Sequence, residues 1–158
     1  MRGTRLLGVT AATALAAGAL AAGPARAEEA PQADLAYHGY ALLAGGRLEM
    51  RLTAQNHGPA PVADATVRLR WSVPLAERTQ RLPDGCVRTA ARDVVCRTGE
   101  LDADAWGERM AFGVWLRGRP TEVLLEIDTV WSGGSVDVNR GNDRQRVLVL
   151  DTGDRYHF

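Results

Sequence analysis

Between residues 47 and 54 the side chains alternate without a break: Leu48, Met50, Leu52 and Ala54 are apolar, and Arg47, Glu49, Arg51 and Thr53 are polar. A period of two puts the apolar set on one face of a strand and the polar set on the other, which is the pattern of a half-buried antiparallel strand. The alternation returns at Val67, Leu69, Trp71 and Val73, then at Met110, Phe112, Val114 and Leu116. It returns again at Val123, Leu125 and Ile127, with Thr129 and Trp131 extending that inward row. Residues 35–43, 79–82 and 144–151 are further expected strands, the last through its apolar run Val147 to Leu150. Gly45-Gly46, Pro83-Asp84-Gly85, Gly118-Arg119-Pro120 and the Gly/Asn/Asp-rich stretch 132–143 punctuate them, because Gly, Pro and Asx residues suit turns. Residues 98–107 read as an acidic connection. No stretch after the first 27 residues keeps a helical period. Short strands at this spacing predict an all-β sandwich of seven to nine antiparallel strands.

The chain has 158 residues, enough for one domain behind a leader. Arg2 and Arg5 precede an uncharged, Ala-rich stretch from Leu6 to Ala22, and Ala25-Arg26-Ala27 is a small-x-small cleavage pattern. Residues 1–27 are therefore expected to be a cleavable signal peptide, giving a secreted, extracellular protein that begins at Glu28. Residues 28–34 and 152–158 read as tails around a domain at 35–151. No later apolar run has spanning length, so no membrane span is expected after cleavage. All 19 basic residues are arginine, and 16 of them follow the leader against 19 acids, a formal charge of −3. That balance gives no nucleic-acid footprint.

Cys86 and Cys96 both fall in the exported part, and an even count in an oxidising compartment favours a disulfide. Read as a hairpin centred on Ala91, the segment sets Cys86 opposite Cys96, Val87 opposite Val95 and Arg88 opposite Val94. Facing Cα atoms in an antiparallel pair lie within disulfide reach.

The order of motifs is Asn56-x-Gly58-Pro59, Ala65-Thr66-Val67-Arg68-Leu69, Leu82-Pro83-Asp84-Gly85-Cys86, Val94-Val95-Cys96, Gly99-x-Leu101 and Asp137-x-Asn139-x-Gly141-Asn142-Asp143. Over residues 35–151 this order resembles the bacterial surface family called "domain of unknown function eleven". It is also similar to CARDB, the cell-adhesion-related domain found in bacteria. The resemblance implies an immunoglobulin-like sandwich with a two-cysteine hairpin, used as a spacer or adhesion module, and it supplies no catalytic residues.

Catalysis finds little footing in the residues themselves. After the leader there are three serines (Ser72, Ser132, Ser135) and three histidines (His38, His57, His157), and no G-x-S-x-G elbow. No enzyme activity and no cofactor are expected. Asp137, Asn139, Asn142 and Asp143 carry oxygens that calcium could use, but their spacing departs from the EF-hand loop and equally suits Asx turns. No metal is expected. Trp71 is in phase with core residues, whereas Trp115 is out of phase and Trp106 falls in the connection, so Trp115 and Trp106 are the candidate binding residues. The expected function is a non-enzymatic binding or structural module acting on another protein, a cell-envelope polymer or a second copy. The alternative is an inhibitor or ligand-binding protein working through the sandwich loops. An exposed aromatic patch marks a binder; a polar, patch-free surface marks a spacer.

Overall fold

The computed structural model describes residues 29–158, so the expected signal peptide lies outside the described residues. Eleven strands follow in chain order: β1 (Gln32–Ala33), β2 (Leu35–Ala44), β3 (Arg47–Asn56), β4 (Thr66–Trp71), β5 (Cys86–Arg88), β6 (Asp93–Arg97), β7 (Ala105–Trp115), β8 (Glu122–Trp131), β9 (Val136–Asp137), β10 (Arg144–Leu150) and β11 (Tyr156–His157). A five-stranded antiparallel sheet runs β10-β8-β4-β6-β5, and a four-stranded one runs β11-β2-β3-β7. These nine strands form the expected immunoglobulin-like sandwich, and β1 and β9 add a short parallel pair. Among the described residues no helix is long and apolar enough to cross a membrane.

The alternating rows supply the core. Leu48, Met50, Leu52 and Ala54 of β3 face Val67, Leu69 and Trp71 of β4 and Val123, Leu125 and Ile127 of β8 across the interior. Trp71 and Tyr37 are the largest wholly buried side chains. The Tyr37 hydroxyl is 2.6 Å from Thr129 Oγ1, which satisfies two polar groups that the core would otherwise strand.

Cys86 and Cys96 are register partners between β5 and β6, with Val87 opposite Val95 and Arg88 opposite Val94. Their sulfurs are bonded at 2.02 Å, and Cys96 is fully buried. The bond ties the edge strand β5 to the sheet beside the core.

Several expectations are corrected. Within the expected tail at 28–34, residues 32 and 33 are not free. Gln32 and Ala33 pair with Val136 and Asp137, and Ala33 is fully buried. Gly58 permits this, because a Cβ there would sit 2.5 Å from Ala33 Cα. Residues 152–158 are likewise built in: β11 pairs with β2, and Phe158 and Gly39 exchange backbone hydrogen bonds of 3.1 Å. Residues 79–82 form no strand; Gln80 anchors them through its side chain instead. The expected connection 98–107 ends early, since β7 begins at Ala105. Trp131 does not extend the inward row of β8. The register against β4 shifts between Thr66 and Val67, so Thr129 stays buried while Trp131 turns outward and is half exposed.

Candidate functional site

The outer face of the four-stranded sheet is built from the polar half of each alternating row. Arg47, Glu49, Arg51 and Thr53 of β3 stand beside Trp115, Gly113, Ala111 and Arg109 of β7, their register partners. His38 and Tyr40 of β2 stand on the other side, opposite Thr53 and Arg51. Trp115 is 37% exposed and Trp106 58%.

Trp106 reaches this face through a bulge. Thr53 pairs with Arg109 but Gln55 with Trp106, so Gly107 and Glu108 together oppose Ala54. The extra residue reverses the facing of everything before it. Trp106 therefore lies against His38, with ring centroids 5.0 Å apart, at one end of the face, while Trp115 occupies the other. The two candidate binding residues share one surface, though not one pocket.

Trp115 is rigidly placed. Its backbone N–H donates to Gln80 Oε1 at 2.9 Å, and its carbonyl accepts from Gln80 Nε2 at 3.1 Å and from the Ala76 N–H at 2.8 Å. Residues 76–80 are thereby laced to the end of β7. Guanidinium groups flank the indole: Arg78 lies 4.6 Å and Arg47 5.7 Å from the ring centroid, within cation–π range. Arg47 reaches across β7 because Gly113 leaves the space; a Cβ at that position would sit 2.9 Å from Arg47 Nε. Glu49 holds the same guanidinium from the side at 3.1 Å. Tyr40 repeats the arrangement, with Arg155 at 4.7 Å and Arg51 at 5.7 Å from its ring.

Two hollows adjoin these aromatics. One of about 340 Å³ is lined by Arg47, Arg78, Thr79, Arg81, Gly113 and Trp115. Next to it a trough of about 230 Å³ includes Tyr40, Arg47, Glu49, Arg51, Ala111 and Gly113. The opposite sheet differs in its charge arrangement: Arg68 and Arg144 pair with Asp128, Arg70 with Asp93, and Arg146 with Glu126. Among the described residues no carboxylate comes within ion-pairing distance of Arg78 or Arg81.

The other candidates lie elsewhere. Asp137 Oδ1 accepts from the Asn139 N–H at 3.0 Å, an Asx turn. Asn142 Nδ2 donates to Asp34 Oδ1 at 2.7 Å, anchoring the loop to the start of β2. Asp143 is wholly buried with Arg140 as its counter-ion at 3.0 Å. Burial raises the Asp143 carboxyl above the usual carboxylate range, against the opposing pull of Arg140. Burial likewise raises the Tyr37 phenol, while its Thr129 hydrogen bond works the other way. Among the described residues no group of three His, Cys, Asp or Glu side chains could hold a metal ion. Ser72 Oγ accepts from the Leu124 N–H at 3.0 Å, and Ser132 Oγ donates to the Ser135 carbonyl. Both hydroxyls serve the local backbone.

Compared with protein-family models and with curated proteins, the chain matches none. Sequence reasoning singled out Trp115 and Trp106 but missed Tyr40, Arg47, Arg78, Arg81 and Gly113. The outward phase of Arg47 and Arg51 was a usable signal; the approach of the 76–81 segment to β7 had none.

Proposed function

We propose that this chain is an exported, non-enzymatic binding module that engages a partner in the cell envelope through the outer face of its four-stranded sheet. The observation that carries the reading is the exposure of Trp106 and Trp115 of β7 on one sheet face, with Tyr40 of β2 on the same face across β3. Large aromatics left open on a surface bring apolar area and a polar tip to a partner. The oxidised Cys86–Cys96 pair supports an oxidising destination. The family resemblance over residues 35–151 supports a place at the bacterial surface.

The test is co-sedimentation of the secreted protein with isolated cell envelopes, comparing it with a Trp106→Ala/Trp115→Ala variant. The module reading expects the variant to stay in the supernatant while unfolding at nearly the same temperature. Equal sedimentation of the two proteins would reject it.

A further inference from the structure

We infer that the hollow beside Trp115 binds a carboxylate-bearing sugar ring of an acidic polysaccharide. The inference rests on the binding-module reading above and names its ligand class. Arg47, Arg78 and Arg81 line the hollow with Trp115, and no carboxylate side chain lines it. Arg47 is already matched by Glu49. Arg78 and Arg81 present their N–H groups with no acid of the described residues in reach, in contrast to the paired arginines of the opposite sheet. A planar guanidinium offers a two-pronged donor that fits a carboxylate. Arg78 Cζ lies over the indole at 4.6 Å from the ring centroid, which holds the guanidinium at the hollow, and Gln80 ties the arginine-bearing segment to β7. The part of Trp115 left exposed between the guanidinium groups offers apolar area to the C–H groups of a sugar ring.

A polymer, rather than an isolated anion, fits the repetition. The neighbouring trough shares Arg47 and Gly113 with the first hollow and adds a second aromatic, Tyr40, with its own arginine, Arg51; the one carboxylate that lines it, Glu49, is already paired with Arg47. Two adjoining places that each combine an aromatic with a guanidinium match a chain that presents one ring and one carboxylate per unit. The formal charge of −3 after residue 27 supplies no broad basic field of the kind that holds a nucleic acid, so the arginines beside the aromatics carry the attraction locally.

Titration calorimetry of the secreted protein with polygalacturonate, and with the same polymer methyl-esterified, tests the assignment. The acid form should bind, the ester about tenfold or more weakly, and Arg78→Gln with Arg81→Gln should cost about tenfold at unchanged melting temperature. Arg78→Lys, which keeps the charge but loses the plane, should recover only part of the affinity. Equal binding to the ester, lost in Trp115→Ala, would overturn the carboxylate assignment and leave the aromatic face standing. Failure to bind the acid form, or stronger binding of polyphosphate, would overturn the acidic-sugar assignment even where envelope binding still depends on Trp115. Envelope binding indifferent to Trp106 and Trp115 would remove the reading beneath both.

Discussion

Trp106 and Trp115 face the same way from β7, although the odd interval between them would set them on opposite faces of a regular strand. The bulge opposite Ala54 makes the difference, and Gly107 makes room for it. A Cβ at Gly107 would sit 2.4 Å from Leu101 Cδ2, and Leu101 is fully buried. Gly107→Ala should therefore destabilise the fold by about 1–3 kcal/mol, as overpacking does. It should also weaken envelope binding by disturbing Trp106. Chemical denaturation checks the first effect; an unchanged midpoint would show that Leu101 yields freely.

The disulfide gives a second prediction. Replacing Cys86 and Cys96 together by Ala should lower stability by about 2–3 kcal/mol, from the short loop that the bond closes. The fold should persist, because the main core lies in β2, β3, β4, β7 and β8. Thiol titration of the denatured, unreduced protein should find no free thiol. Two free thiols in that sample would contradict the bond.

Asp143 predicts a pH dependence. Its carboxyl titrates above the usual range in the folded protein because of burial. As pH rises from the ordinary Asp range through the raised folded value, the unfolded chain has lost its proton while the folded chain still holds one. The folded state then binds more protons, so this group lowers stability as pH rises, and the full penalty applies above the folded value. Subtracting the melting-temperature profile of Asp143→Asn from that of the parent should leave a difference that falls with pH across that window. A difference that rises instead would mean that the Arg140 pairing outweighs burial.

How much of this was legible in the sequence follows from the physics of each element. Rows such as Leu48–Met50–Leu52 announce themselves because a half-buried strand repeats every two residues, and the hairpin register followed from centring Cys86 and Cys96 on Ala91. Bulges defeat the same counting: one extra residue near Gly107 and a register shift near Val130 each reverse the phase, so Trp106 looked like loop and Trp131 like core. The segments that hold β1 and β11 looked free because their partners, Val136 and Asp137 for β1 and Tyr40 and Ala41 for β11, are distant in sequence. The arginine-flanked Trp115 was half legible for the same reason. Its outward phase is local, but Arg47 and Arg78 reach it from separate parts of the chain.

The most direct test of the aromatic-face account measures envelope binding and thermal stability on the same preparations of Trp115→Ala and Trp71→Ala. Trp115 is partly exposed and Trp71 fully buried. Trp115→Ala should lose most of the binding at a nearly unchanged melting temperature, while Trp71→Ala should lose about 3–5 kcal/mol of stability. If Trp115→Ala instead costs as much stability as Trp71→Ala, or binds envelopes as the parent does, the indole belongs to the framework and the sheet face is not the binding surface.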